Sequence, residues 1–433
     1  MKNMKNFLLV VLIAGTCSTI IAQENPIDVK FRRSSLHTMV VETDKFPKKE
    51  VVLNAFNNAP FPEKYNDHQI GVKSFDPGNY TLTSEEKETI YKQSKLGAFA
   101  ASASGLETDS LSKELPLRIQ KYLTKEKVAN AIVAKWFNRQ ADGSFYDELI
   151  SERGIFNASF LDLKSSQSAA DGNALLKTAG LELIDNTFIV INKFKFVPNE
   201  PIARVIRDAA REAIKDKPAL LLGSLNKGID AVYEKTKEGY SIWATSYLYK
   251  LVWDEATANT FYTEFYMDKS TLNADKKLAF ENSDLFKLEF IGDESASGLV
   301  TFSLTEKRTE DQIIELSTIR IIDNVYAKLQ KKYDVFKTIT PLYTGVPITA
   351  KIGKKEGLEG GEKFEVLEMI QDEKTGVNTY KSVGTIKVDK NLIWDNTFDT
   401  DEATSDGNAA TIDRTTFTGG KKFASGMLIK QVK

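Results

Sequence analysis

The amino-acid sequence predicts an α+β fold with an α/β middle domain followed by a small β-barrel. Three observations carry this prediction. Helix and strand patterns alternate over residues 121–335, an amphipathic helical hairpin interrupts them at 200–238, and short glycine-punctuated β runs fill 336–433. The 433 residues suffice for two or three domains, since one domain takes roughly 100–200 residues.

Residues 1–22 have the pattern of an export signal. Lys2 and Lys5 precede an apolar run from Phe7 to Ala14, and Ala22 offers a small residue for cleavage. The apolar run is shorter than the roughly 20 residues that a membrane-spanning helix needs. We therefore expect export to the periplasm or the outer-membrane periphery, with cleavage after Ala22.

Histidine and cysteine are scarce, which excludes several kinds of catalytic and metal site. The chain has two histidines, His37 and His68, and one cysteine, Cys17, inside the predicted signal. The sequence before Cys17 is an imperfect lipobox and leaves its lipidation open. The region after residue 68 cannot form a Cys/His zinc site or a Ser-His-Asp triad by itself. We expect both histidines to be solvated or hydrogen-bonded loop residues.

The charge balance bears on the partners. Fifty-eight Lys and Arg against 60 Asp and Glu give a net charge of −2 with interspersed signs, which argues against nucleic acid. No segment after the signal is apolar enough for a transmembrane helix. We expect an envelope protein as partner and no cofactor, while an outer-membrane association and the oligomeric state stay open.

The first elements are unevenly defined. Residues 23–120 are predicted to be irregular or extended, because prolines interrupt their short apolar stretches. Thr124 can cap a helix, and a shorter helix near 169–178 is expected to stop at Gly180. The β-branched and aromatic run Thr187–Phe196 predicts a strand.

Residues 200–238 give the clearest helical signal. Pro218 divides the segment into two helices, and the apolar positions recur at helical spacing. We interpret the apolar side as a stripe that faces the core and the mixed charges opposite it as a solvated face. The apolar positions are Ile202, Val205, Ile206, Ala209, Ala210, Ala213, Ile214, Leu222, Leu225, Ile229 and Val232. The interaction candidates on the charged side are Arg204, Arg207 and Arg211.

Two aromatic strands are predicted next, Tyr240–Trp253 and Thr260–Met267, joined as an antiparallel hairpin. Both faces of the first strand are apolar, as in a strand covered on both sides. Insertion of strands 240–267 into the outer membrane is the alternative, since spanning strands need roughly 9–11 residues. The aromatic interaction candidates are Trp243, Tyr247, Tyr249 and Trp253.

Further elements complete the pattern. Strands are predicted near Phe286–Ile291 and Leu299–Leu304, and Thr309 with Gln312 forms a capping box before a long helix. Beyond residue 336, the regular spacing of short strands predicts a small barrel. An acidic loop there offers oxygen ligands for calcium, although its spacing does not match an EF-hand. A solvated loop is the alternative, and we assign no metal. The calcium candidates are Asp399, Asp401 and Asp406.

One glycine-rich stretch carries a resemblance to a known family. Its pattern G-x-x-x-G-L-x-x-G-[DE]-x-[FY]-x-V resembles the C-terminal SH3-like barrel of the flagellar assembly protein T family. It is met by Gly353, Gly357, Leu358, Gly361, Glu362, Phe364 and Val366. Glycines there suit a tight turn that leads into a strand. Lys354 and Lys355, inside this stretch, are the remaining interaction candidates.

The middle region resembles the curli secretion (CsgG-type) lipoprotein family, which implies an anticodon-binding-like α/β domain. The resemblance rests on Leu149–Arg153, the small-residue helix ending at Ala179-Gly180, and the strand Thr187–Phe196. Leu181-Glu182 replaces the family's Ala-Asp, and the hairpin at 200–238 is an insertion. Both families belong to Gram-negative envelope assemblies, and neither is enzymatic.

The functional expectation follows from these points. No P-loop, dinucleotide fingerprint, H-E-x-x-H motif or nucleophile elbow is present. We expect a non-catalytic scaffold or adaptor that acts through protein–protein interaction, with no catalytic residues assigned. A carboxylate-based hydrolase of envelope glycans is one alternative, because such enzymes need only two acids. A subunit like that of an outer-membrane secretion channel is the other.

Overall fold

The computed structural model describes residues 31–89, 110–157, 172–300, 308–371, 378–397, 412–420 and 423–432. In these ranges a helix-covered sheet is followed by a closed six-stranded barrel. The predicted α+β class and the C-terminal barrel are confirmed at that level. The predicted export signal and Cys17 lie outside the described residues.

The sheet has the order β2–β1–β4–β5–β6, with β3 also paired to β1. Strand β1 is parallel to β2, β3 and β4, whereas β4, β5 and β6 are antiparallel neighbours. The strands are β1 (Ser34–Val41), β2 (Tyr65–Asp67), β3 (Ser74–Phe75), β4 (Thr187–Pro198), β5 (Tyr240–Val252) and β6 (Lys287–Val300). The N-terminal region, which gave no clear sequence pattern, thus supplies strands of the sheet.

Helices cover both faces of the sheet and give a three-layer architecture. The core on one face joins strand residues to α2–α5, α8 and α9, and the core on the other face joins them to α1 and α10. The helices are α1 (Lys49–Asn58), α2 (Ser110–Lys125), α3 (Val128–Trp136), α4 (Glu148–Asn157), α5 (Gly172–Asp185), α6 (Asn199–Ile214), α7 (Ala219–Thr236), α8 (Glu255–Thr260), α9 (Ala274–Asn282) and α10 (Glu310–Lys332).

Helix α10 is the main cover of the second face. Its predicted capping box is confirmed: the Thr309 hydroxyl accepts from the Gln312 backbone N–H, and the Gln312 side chain accepts from the Thr309 backbone N–H. Acidic residues occupy its first turn and lysines its last, which complements the helix dipole. Ile314, Val325 and Leu329 are fully buried against the sheet.

Gly180 does not end its helix, contrary to the prediction. Helix α5 continues to Asp185, and Gly180 lies where α5 packs on α4. A Cβ at Gly180 would stand 1.9 Å from the backbone oxygen of Ile150. The glycine therefore permits a close helix–helix approach.

The prediction of a second aromatic strand over Thr260–Met267 is also wrong. Residues 255–260 form α8, and Phe261–Phe265 continue as a π-helical turn. The cause is a helix cap, because the Asp254 carboxylate accepts from the Thr257 backbone N–H at 2.7 Å. The partners of β5 are β4 and β6. The strand predicted at 286–291 and the start of the one predicted at 299–304 both lie in β6 (Lys287–Val300), and residues 301–304 lie outside the described residues.

The barrel closes in the order β10–β11–β8–β7–β12–β9 around a separate apolar core. Its form is compatible with an SH3-like barrel. Gly357 and Gly361 take φ values of +79° and +96°, which explains two glycines of the motif. The strands are β7 (Ile339–Gly345), β8 (Ile348–Ala350), β9 (Lys363–Gln371), β10 (Asn378–Val388), β11 (Thr415–Thr418) and β12 (Leu428–Gln431).

Candidate interaction surface

Helices α6 and α7 form the predicted hairpin between β4 and β5. Pro198 and Tyr240 are paired at the end of the β4–β5 ladder, so the hairpin begins and ends at the same edge of the sheet. The two helices pack chiefly on each other. Their least exposed side chains line the seam between them: Ala203, Arg207, Ala210 and Ile214 on α6, and Leu222, Asn226, Ile229 and Tyr233 on α7.

One side of the hairpin, which we name the charged face, is held by ion pairs. Arg204 binds Glu200, and Arg211 binds Asp230 across the two helices, each at 2.5 Å. Arg207 binds Asp208 at 2.8 Å and stacks over the Tyr233 ring. The three predicted arginine candidates are thus already paired within the hairpin. Exposed pairs of this kind leave little unbalanced charge for a partner.

The Glu200 carboxylate links both helices on this face. It accepts hydrogen bonds from the Arg204 guanidinium and from the Tyr233 hydroxyl, the latter at 2.9 Å. The Arg204 hydrogen bond is the main reason that the pKa of Glu200 lies below its usual value. The charged face is therefore a connected surface that fixes how α6 and α7 sit against each other.

The opposite side of the hairpin is apolar and exposed. The predicted core stripe is wrong on this point: α6 buries only Asn199 and Ala203, and α7 buries none of its residues, all of which are described. Val205 is 69% exposed and Ile206 59% exposed. We name the following set the apolar face: Ile202, Val205, Ile206, Ala209, Ala213, Leu221, Leu225, Gly228 and Val232.

Helical geometry places both stripes of the apolar face on one side. On α6 the stripe residues Ile202, Ala209 and Ala213 are each followed at once by a seam residue. Each stripe residue of α7 is followed by a seam residue in the same way. One residue is a rotation of 100°, so both stripes are displaced from the seam in the same sense. In two antiparallel helices, equal displacements lie on the same side. The sequence contains this signal, but it does not show that nothing covers the stripes.

The aromatic candidates of β5 lie inside the molecule. Tyr247, Tyr249 and Trp253 belong to the core beneath α2–α5, α8 and α9, and each is less than 10% exposed. Trp243 is half-buried near the start of the strand. Because their rings pack against the sheet's own helices, these three side chains are not exposed for contact with another molecule.

The two lysines of the glycine-rich motif are engaged within the chain. Lys354 binds Asp395 at 2.6 Å, and Lys355 lies 3.4 Å from Asp323 of α10. Burial raises the pKa of the Asp323 carboxyl to about 6. The motif turn therefore contacts the helix of the preceding domain, and Lys354 and Lys355 contribute to contacts inside the chain.

Both histidines are buried, neutral and hydrogen-bonded rather than solvated. His68 Nε2 donates to the Ile132 carbonyl at 2.9 Å, and His68 Nδ1 accepts from Arg153 at 2.5 Å. His37 Nδ1 lies 2.7 Å from the Gln69 side-chain oxygen, while its Nε2 has no partner among the described residues. Burial lowers the pKa of His37 to about 4 and that of His68 well below its usual value.

Arg153 contacts several buried groups around His68. The sequence did not identify it as a functional residue. Its guanidinium donates to the Asp67 carbonyl at 2.6 Å and lies 4.5 Å from the centre of the Trp136 ring. Burial lowers its pKa to about 10. The contacts are structural, and His68 is saturated on both nitrogens, so neither group is free to act as an acid or base.

Two surface clefts beside α2 bear on the hydrolase alternative, because a glycosidase needs paired acids. A cleft of about 570 Å³ beside α2 has one carboxylate, Glu86, which binds Lys121 at 2.6 Å. A neighbouring cleft of about 390 Å³ also has one, Asp284, which binds Lys127. Among the described residues that line them, neither cleft has two carboxylates, so this part of the lining lacks the two-acid arrangement of such enzymes.

Metal and membrane features can be stated for the described residues alone. Asp399, Asp401 and Asp406, the calcium candidates, lie outside them. Elsewhere in the described chain, no group of three or more His, Cys, Asp or Glu side chains could hold a metal ion. Within the same ranges, no helix combines the length and apolar character needed to cross a membrane.

Comparison with known proteins adds no assignment. Neither a protein-family model nor a curated protein matches this chain.

Proposed function

We propose that this protein is a non-catalytic scaffold or adaptor of the cell envelope that acts through protein–protein contact. The observation that carries the proposal is the exposed apolar face of α6 and α7. Contiguous apolar patches larger than a few hundred Å² are rare on monomeric proteins and mark binding surfaces. The lysine and arginine candidates are paired within the chain and three of the aromatic candidates are buried, which makes this face the strongest candidate among the described surfaces.

The location in the envelope is part of the proposal. Its support is the export-signal pattern of residues 1–22 and the glycine motif that resembles the flagellar assembly protein T family. The weaker resemblance of the middle domain to the curli secretion family, with an anticodon-binding-like fold, points to the same compartment. Fold alone does not carry function, so the apolar face remains the central argument.

The absence of catalysis is supported by the state of the ionisable groups. His68 is saturated, and the single acids Glu86 and Asp284 in the two clefts are paired with lysines. Incubation of the protein with purified envelope glycan should therefore release no reducing ends. Release above the level of a heat-denatured control would overturn the non-catalytic assignment.

Docking through the apolar face is tested with adjacent substitutions on one helix. Val232→Glu places a charge on the apolar face, and Ala231→Glu places the same charge outside it. Tagged wild type and Ala231→Glu should retain the same proteins from envelope extracts, and Val232→Glu should lose them. Circular dichroism checks that all three are folded. Equal retention by Val232→Glu would contradict docking through this face.

A further inference from the structure

We propose that the apolar face pairs with the same face of a second copy of this chain, so that two hairpins form a four-helix bundle. The inference rests on the proposed function, since it names the partner of the same surface. A two-fold arrangement brings one surface patch against itself, and this is the commonest symmetry of protein dimers.

The spacing of the apolar face fits helical partners. Residues 202, 206, 209 and 213 of α6 are separated by four, three and four positions. Residues 221, 225, 228 and 232 of α7 repeat the same intervals. This is the spacing with which helices interlock side chains in coiled coils and four-helix bundles. A second hairpin offers two helices with matching intervals.

Small residues within the repeat allow the helices to approach closely. Ala209 and Ala213 are exposed on α6, and Gly228 is exposed on α7 with open space where a Cβ would stand. Helices in contact lie about 8–10 Å apart, the distance depending on the side chains between them. The larger side chains Val205, Ile206 and Leu225 can then fill the spaces beside these small residues.

The area of the face suits a dimer. The six larger residues of the apolar face are 39–69% exposed, which leaves roughly 600 Å² of their surface in water. A standard interface takes about 800 Å² from each partner. The face therefore supplies most of one side of a specific interface and lies at the upper end of the patch of about 300–600 Å² that a typical monomer exposes.

The charges around the face argue against an anionic membrane as its occupant. A helix bound to such a surface carries a lysine- and arginine-rich polar side. Here Glu200, Asp208 and Asp230 pair with the three arginines of the charged face. A partner recognised by the opposite charge would find these groups already bound. An apolar face of the same kind is the complement that remains.

Sedimentation equilibrium tests the proposal on the chain that begins at Gln23, which contains no cysteine. Wild type and Ala231→Glu should be dimers at micromolar concentration, while Ile206→Glu and Val232→Glu should weaken association at least about 100-fold. Circular dichroism confirms that each variant is folded. A chain that is monomeric at about 100 µM overturns the proposal, and so does a dimer that both stripe variants leave intact.

Single cysteines identify the surface independently. Placed in turn at Ile202, Ile206, Leu225 and Val232, they should form a disulfide between copies at the positions nearest the two-fold axis. A cysteine at Ala231 should form none. Crosslinking at Ala231 alone would overturn the proposed pairing.

The failures of the two proposals differ. If the chain is monomeric but Val232→Glu loses envelope partners, the proposed pairing of copies is contradicted and the adaptor function is supported. If the chain dimerises through the apolar face but Val232→Glu retains its envelope partners, the proposal that other proteins dock on this face is contradicted. Sedimentation of the monomer with vesicles of anionic phospholipid would instead assign the face to a membrane and overturn pairing.

Discussion

Helix α10 and the hairpin α6–α7 carry similar apolar patterns in opposite environments. Ile314 of α10 is fully buried between the sheet and α1, while Ile206 of α6 is 59% exposed. The difference follows from the connections. Helix α10 comes after the last sheet strand and packs back across the sheet, whereas the hairpin joins the adjacent ends of β4 and β5 and packs chiefly on itself. Periodicity therefore determines which side of a helix is apolar, and chain topology determines what covers it.

The largest expected effect comes from the same substitution in both helices. Ile314→Ala should lower the free energy of unfolding by about 2–5 kcal/mol because it leaves a cavity in a packed core. Ile206→Ala should change it by less than about 0.5 kcal/mol at concentrations where the protein is monomeric. Urea unfolding followed by circular dichroism measures both values.

The contrast between α10 and the hairpin would be contradicted if Ile314→Ala and Ile206→Ala lowered the free energy of unfolding by the same amount. A large loss for Ile206→Ala in the monomer would mean that another part of the chain covers the hairpin in solution. A small loss for Ile314→Ala would mean that α10 packs loosely. Thermal unfolding of each variant at several protein concentrations separates monomer stability from association.

Burial of His37 should make the stability of the fold depend on pH, whereas the charged face should not. Because the pKa of His37 falls from 6.5 in the unfolded chain to about 4 in the fold, the unfolded state binds more protons between these values. Stability contributed by neutral His37 is thus present above pH 6.5 and is lost as pH falls toward 4. The loss is about 3 kcal/mol for His37. Urea unfolding at pH steps from 7 to 4, for wild type and His37→Gln, should show a shallower slope in the variant.

Two groups serve as controls for this pH dependence. Asp323 has the opposite sign, because its raised pKa adds stability as pH falls below about 6, so the slopes must be compared between variants and not read from wild type alone. The hydrogen bond from Arg204 lowers the pKa of Glu200 from its usual 4.5, so its contribution to stability is complete above that value and changes only at the acid end of the window. Glu200→Gln should leave the slope between pH 7 and 5 unchanged, and equal slopes in wild type and His37→Gln would show that His37 is not a buried neutral group.

The sequence predicted the elements whose formation depends on neighbouring residues. The strand that begins at Thr187, the hairpin helices, the capping box at Thr309 and the barrel strands all follow from side-chain periodicity, caps and turns. The run 260–267 failed because aromatic residues suit either a strand or a helical turn, and Asp254 as a helix cap decided between them. Its Asp-x-x-Thr spacing was the available signal.

Long-range placement was not predictable in the same way. Strand β1 became part of the sheet through pairing with β4, about 150 residues later in the chain. The burial of His68 depends on partners such as Arg153, which the fold brings from a distant position in the chain. The apolar face was found as a pattern and misplaced as core, because an amphipathic helix looks the same whether a sheet or another molecule covers it.

The smallest effect is expected at the charged face, and it sharpens the contrast with α10. The Arg211–Asp230 pair has both side chains about half exposed, whereas the Asp323 carboxyl of α10 is buried beside Lys355. Arg211→Ala should lower the free energy of unfolding by less than about 1 kcal/mol, and raising salt to about 1 M should remove most of that loss because exposed charges are screened. Urea unfolding at low and high salt measures it, with Lys227→Ala on the same hairpin as control. A salt-independent loss above about 2 kcal/mol would show that the charged face is covered, and the surface between two copies would then have to include it.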